Sequence, residues 1–172
     1  MSHSIQQVNE MKYEEFLQVF GNVVEHCALC AAAIWAHRPF YNVQELHAEL
    51  CHFIDNLPSI GREGILRLHP DLAGRIAQLG LLTSESKKEQ LSAGLDTLTE
   101  DERETIMDLN ERYKEKFGFP FVICARDNKK HAILTGLKIR IENTSEVEVT
   151  TGVEEVKKIM MYRLLDLVKT DN

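Results

Sequence analysis

The sequence predicts an all-α protein, a single-domain bundle of about eight helices, and three observations carry that expectation. Apolar residues recur at helical spacing along most of the chain. Prolines and glycines fall between those stretches, and Thr99 followed by Glu102 forms a capping-box pattern ahead of a long one. At 172 residues, 44% hydrophobic and 27% charged, the chain is long enough to close one core.

The elements follow in order. Met11, Phe16, Leu17 and Phe20, then Val23, Val24 and Cys27, predict two short helices with Gly21 as the break. An alanine-rich stretch within His26 to Ala36 predicts another, turned after Trp35 by Arg38-Pro39, because proline disfavours a helical residue before it. Leu46, Leu50, Phe53, Ile54 and Leu57 make Val43 to Leu57 amphipathic, and Pro58 should stop it. Leu72, Ile76 and Leu79 form a stripe behind His69-Pro70 that ends at Gly80, and polar helix formers occupy Ser84 to Leu95. The capped helix after Thr99 should run to Phe117 and end at Gly118. Phe119 to Ala125, reading FPFVICA, fits either a buried extended segment or the start of a helix, and Ala132 to Ile141 fits both periods. Val153 to Val168 predicts a helix through Val156, Ile159, Met160, Leu164 and Leu167.

Composition excludes some function classes. A formal charge of -7, with basic residues scattered among acidic ones, lacks the clustered cations that nucleic acid requires. No apolar run approaches the roughly 20 residues of a membrane span, so neither nucleic acid nor membrane is an expected partner. No secretory signal is read at the start of the chain, so Cys27, Cys30, Cys51 and Cys124 are expected to be reduced thiols in an intracellular protein.

Several residues could carry chemistry. Cys27 and Cys30 have the C-x-x-C spacing of zinc ligands or a redox dithiol, but they stand alone in an apolar stretch, where free cysteine packs as a small hydrophobe. His47 and Cys51 share a helix face beside His52, without two further ligands that would complete a metal site. His69 precedes Pro70, a residue favoured at the first helical position, so its imidazole is expected at a helix N-terminus where the dipole favours anions. The run Ser86, Lys87, Lys88, Glu89 and Gln90 sets a carboxylate beside an amide, although alone it reads as a solvated face. Arg163 lies within the apolar final helix, where a guanidinium serves as a structural ion-pair partner or a clamp on carboxylates and ureido oxygens.

Segments in the order Glu63 to Arg67, His69 to Gly74, Ser86 with Glu89-Gln90, Asn110 to Tyr113, Lys116 to Val122, and Glu155 to Ile159 with Arg163 resemble the 2-oxo-4-hydroxy-4-carboxy-5-ureidoimidazoline (OHCU) decarboxylases. These enzymes act last on the route from urate to (S)-allantoin. The resemblance implies an all-helical homodimer that needs no metal and no organic cofactor. By matching position, it makes His69 the proton donor and Glu89 the carboxylate beside it. Pro70, Ser86, Lys87, Lys88, Glu89, Gln90, Phe121, Val122, Ile123, Cys124, Ala125 and Arg163 become substrate contacts. The Phe121 to Ala125 contacts are expected to be made mainly through main-chain groups. It also implies a peroxisomal address, otherwise cytoplasmic, although the chain ends Thr170-Asp171-Asn172 rather than in an S-K-L-type tripeptide.

Two other classes compete. A helical adaptor would present an exposed apolar groove to a partner helix. A metal-dependent hydrolase would draw on His47, His69 and acidic residues, and would lose activity on chelation.

Overall fold

The computed structural model describes residues 2–170, so the final Asp171-Asn172, part of the address reading, lies outside the described residues. Among the described residues there are ten helices and no strand; eight of the helices have seven residues or more. The chain divides into two compact units, residues 1–65 with 157–172, and residues 66–156.

The first unit begins with α1 (Ile5–Glu10) and α2 (Tyr13–Phe20), then α3 (Ala28–Ile34) and α4 (Val43–Asp55). Ser4 and Gln7 form a reciprocal capping box on α1, which the apolar pattern alone does not reveal. Of the stripe expected on α4, Leu46, Leu50 and Ile54 are buried, together with Val43, whereas Phe53 is only partly buried and Leu57 lies past the end of the helix at Asp55. Phe16 and Phe20 pack with ring centroids 4.7 Å apart, and α3 lies against both α2 and α4. The helix expected over Val23 to Cys27 is instead a turn. His26 has φ of 51°, a left-handed conformation that no right-handed helix tolerates, and its N–H is taken by the Asn22 side chain at 2.9 Å. Pro58 ends one helix and starts another, since its carbonyl accepts from Gly61 and Arg62 in the first turn of α5 (Ser59–Arg67). Two glycines and few apolar residues hide α5 from a periodicity reading.

The second unit holds α6 (Arg75–Gln78), α7 (Ser84–Ser92), α8 (Glu100–Phe117) and α9 (Lys130–Arg140). α10 (Ser145–Leu167) begins in this unit, and the division between units falls inside it and inside α5. α8 has the expected capping box, and its end is fixed by Gly118 in the left-handed region at φ 78°, which glycine adopts without a Cβ penalty. α10 starts at Ser145 rather than Val153. Its first two turns hold the β-branched Val147, Val149, Thr150 and Thr151, of low helix propensity, and Thr144 supplies the cap contact to Val147 N–H.

Phe119 to Ala125 is not helical: between a bend at Phe119 and a turn at Ala125 it has no regular secondary structure, with only Ile123 less than fully buried, whereas the ambiguous Ala132 to Ile141 segment is helix α9. The aromatic rings of Tyr113, Phe117, Phe119 and Phe121 cluster around this irregular stretch, with Tyr113 to Phe121 centroids 5.6 Å apart. At the centre of this unit Glu148 is 0% exposed and accepts from Tyr113 Oη at 2.5 Å, Arg140 Nε at 2.8 Å and Asn143 Nδ2 at 2.9 Å. Arg140 also donates from Nη1 to the Val122 carbonyl at 2.7 Å and lies 4.4 Å over the Phe121 ring.

Glu148→Ala leaves the Arg140 charge buried without its carboxylate, and a loss of about 3–5 kcal/mol in chemical denaturation is expected. Burial, and then the hydrogen bond to Glu148, push the Tyr113 phenol above its ordinary value. The folded form therefore holds that proton to higher pH than the unfolded form. The stabilisation is complete below about pH 10 and is lost as pH rises through the folded value, which an alkaline denaturation series on Tyr113→Phe beside the parent protein would register.

Candidate active site

The stretch from His69 to Gly74 is a turn and not the start of a helix. α5 ends at Arg67, and the next helix, α6, begins only at Arg75 and has four residues. No helix dipole is therefore available to His69 in the way its sequence context suggests. Ala73 stands in the left-handed region at φ 52°, and a Cβ on Gly74 would come within 2.6 Å of Asp71 Cβ. A turn this tight is held from outside. Gln90 Oε1 on α7 accepts from the Ala73 N–H at 3.0 Å, Asn110 Nδ2 on α8 donates to the Leu72 carbonyl at 3.0 Å, and Lys114 Nζ reaches Asp71 Oδ2 at 2.5 Å.

The Gln90 contact sets α7 against this turn. Thr83 caps α7 by accepting from Ser86 N–H at 3.2 Å, and helical spacing then splits the expected run. Ser86, Glu89 and Gln90 are buried on one face, while Lys87 and Lys88 are exposed on the other. Lys87 borders a cavity of about 410 Å³ that Ala73 and Gln90 also line, together with Gln78, Leu91 and Arg103. Gln90 Nε2 is sealed from solvent and makes no hydrogen bond among the described residues, so this amide carries an unused buried donor.

The irregular segment Phe119 to Ala125 is mounted on the same helix as the turn. Tyr113, three residues after Asn110 on α8, packs against Phe121. Protein groups already hold part of the main chain. Val122 C=O accepts from Arg140, Cys124 N–H donates to Glu155 Oε2 at 2.8 Å, and Cys124 C=O accepts from Asn128 Nδ2 at 2.9 Å. The N–H groups of Val122 and Ile123 donate to no acceptor among the described residues. Burial foremost, with the nearby Asp127 charge, pushes the Cys124 thiol up to about 11, so it is a neutral thiol and no nucleophile near pH 7.

Arg163 belongs to the first unit and is 3% exposed. Its Nη1 donates to the Asn22 carbonyl at 2.8 Å and to Glu25 Oε2 at 2.7 Å, forming an ion pair with a carboxylate that is itself 1% exposed. Glu25 was missed in the sequence, although the signal is the one that marked Arg163: a single charge inside an apolar stretch.

His47 and Cys51 do approach each other, with Cys51 Sγ 3.5 Å from His47 Nε2, but the same nitrogen lies 2.7 Å from the Lys157 carbonyl. No group of three or more His, Cys, Asp or Glu side chains placed to hold a metal ion occurs among the described residues. No helix there is long and apolar enough to cross a membrane. Cys30 is buried as expected, but Cys27 caps α3 from outside the helix and is only half-buried.

A buried imidazole, a buried carboxylate, an amide donor and unengaged peptide N–H groups, all carried by a helical scaffold, are the equipment of proton-transfer chemistry on a small polar ligand. The comparisons with known proteins agree with that class. The OHCU decarboxylase family matches residues 9–165. Curated proteins called 2-oxo-4-hydroxy-4-carboxy-5-ureidoimidazoline decarboxylase are similar over nearly their whole lengths. That of Amia calva is 51% identical over 96% of this chain and 94% of its own, and that of Mus musculus 49% over 94% and 90%. This chain belongs to the OHCU decarboxylase family. Two crystal structures share its fold. One of an (S)-allantoin synthase has a TM-score of 0.79 at 24% identity, covering 99% of this chain and 56% of that one. One of an OHCU decarboxylase in the presence of (S)-allantoin has a TM-score of 0.70 at 22% identity, covering 91% and 97%.

Gln90→Leu keeps the bulk and removes the acceptor that holds Ala73. The variant is expected to lose about 1–3 kcal/mol and to show faster hydrogen exchange at the Ala73 amide. Unchanged protection there would mean that the turn holds itself.

Proposed function

We propose that this protein is a cofactor-independent carboxy-lyase converting 2-oxo-4-hydroxy-4-carboxy-5-ureidoimidazoline to (S)-allantoin and CO2 in urate degradation. The observation that carries this reading is the family match over residues 9–165, with decarboxylases from vertebrates about half identical across nearly the entire chain.

The chemistry asks little beyond positioning. The bond from the ring carbon to its carboxylate breaks, CO2 leaves, and the electron pair enters the adjacent C=N bond to give an ene-type intermediate. The substrate is its own electron sink, so no pyridoxal- or thiamin-like group is required. What remains is to hold the ring, stabilise developing charge and deliver one proton to one face. We assign that proton to His69 and the orienting carboxylate to Glu89. Burial of both removes competing water. The buried Gln90 amide and the N–H groups of Val122 and Ile123 supply donors suited to ureido and ring oxygens. Pro70, beside His69, and Ser86, on the buried face of α7, complete the set that the family pattern supplies, whereas the exposure of Lys87 and Lys88 leaves them the weakest members. Arg163 is the family's clamp, and within its own unit Glu25 fixes the direction of its guanidinium fork.

A homodimer and a peroxisomal setting belong to the same reading and rest on the family resemblance. Sedimentation and localisation of a fluorescent fusion test them separately.

His69→Asn is expected to fold normally and to lose nearly all turnover, because an amide cannot exchange a proton near neutral pH. Circular dichroism checks the fold and a chiral assay of allantoin checks the rate. Glu89→Gln keeps shape and removes charge, with an expected fall in kcat on the order of 10²-fold or more. Near-normal turnover in either variant would return that residue to a structural role. Activity is also expected to survive chelation and dialysis. Loss on chelation with recovery on adding a divalent metal would favour the hydrolase instead.

A further inference from the structure

Cys27 and Cys30 lie outside everything the decarboxylation uses. Cys27 is the residue before α3, with φ of -126° and ψ of 74°, and Cys30 is in the first turn of that helix. Their sulfur atoms are 3.6 Å apart, with the Cys30 thiol donating to Cys27 Sγ. A disulfide brings its sulfurs to about 2.0 Å, so side-chain rotation and a small shift of the non-helical Cys27 suffice to close the gap.

The two thiols differ in access. Cys30 is 1% exposed, whereas Cys27 is half-buried and flanked by exposed residues, including Leu29 at 63%. A small reagent in solvent can reach Cys27 and cannot reach Cys30. The chemistry is polarised the same way. The hydrogen bond from Cys30 lowers the Cys27 pKa against the opposing effect of burial, while that contact and burial both raise Cys30. The outer sulfur is the better thiolate, and the inner one stays a protonated thiol until its partner has reacted.

We propose that Cys27 and Cys30 form a reactive dithiol that reduces low-molecular-weight disulfides such as oxidised glutathione, with Cys27 as the nucleophile and Cys30 as the resolving thiol. Cys27 thiolate attacks one sulfur of the reagent, forming a mixed disulfide and releasing one glutathione thiolate. Cys30 then loses its proton and attacks Cys27 Sγ, forming the internal disulfide and releasing the second glutathione. Two protein thiols are oxidised to one disulfide and one reagent disulfide is reduced to two thiols, which balances the electrons. The other cysteines lack this arrangement. Cys124 is buried with a raised pKa, and Cys51 lies against the His47 imidazole.

The test is incubation of the full chain with excess oxidised glutathione in the absence of air, followed by alkylation of the remaining thiols and peptide mass mapping. The wild type is expected to lose two hydrogens and to yield a Cys27–Cys30 cross-linked peptide, with Cys51 and Cys124 alkylated. Cys30→Ser should stop at a glutathione adduct on Cys27, and Cys27→Ser should leave Cys30 unreacted. A wild type that keeps all four thiols, or that carries glutathione on Cys51 or Cys124 without the internal disulfide, would overturn the proposal. The wild-type map decides the matter even if a serine variant fails to fold.

Discussion

A carboxylate taken wholly out of water must be compensated by donors from the protein, and Glu148 is the residue on which that demand falls. Its oxygens draw Tyr113 from α8, Arg140 from α9 and Asn143 from the connection to α10 to one point. Arg140 passes the constraint on, because its Nη1 takes the Val122 carbonyl while its plane lies over Phe121. A non-helical segment with buried peptide groups, costly unless paired, thus acquires a partner for its carbonyl and a fixed position. The apolar string FPFVICA contributes hydrophobic burial. Its stationary main chain comes from an acid more than twenty residues downstream.

α8 then ties this segment to the His69 turn. Tyr113 packs against Phe121, while Asn110 and Lys114 on the same helix grip Leu72 and Asp71. Gln90 completes the mount by holding the left-handed Ala73 and so bringing the buried face of α7 with Glu89 to the turn. For a reaction in which the substrate receives its own electrons, rigidity is the main thing a protein can supply. Apart from Gln90, this construction provides it with side chains that need not touch the ligand.

The sequence made this architecture readable where local signals were strong and sufficient. The Leu46, Leu50 and Ile54 stripe of α4, the Thr99 and Glu102 box and the Gly118 stop each depend on residues within a few positions of one another, and each appears as expected. α1 and α5 were too short or too poor in apolar residues to show a period, and β-branched residues concealed the start of α10. The His69 turn could not be read locally. Proline after histidine suggests a helix start, but the contacts that decide otherwise come from Gln90 and Asn110, 17 and 38 positions away. Likewise Glu25 and Arg163 lie 138 residues apart, so neither could reveal the other as its partner. The roles proposed for His69 and Glu89 rest on the family pattern alone, since a histidine and an acid twenty residues apart have no spacing signature.

On the proposed function, this chain decarboxylates the ureidoimidazoline and protonates one face of the product with no added cofactor. The most direct measurement mixes the purified protein with freshly generated substrate and follows CO2 release together with the circular dichroism of the allantoin formed. Accelerated CO2 release and a single enantiomer, (S)-allantoin, are expected. Racemic allantoin appearing at the spontaneous rate would contradict it.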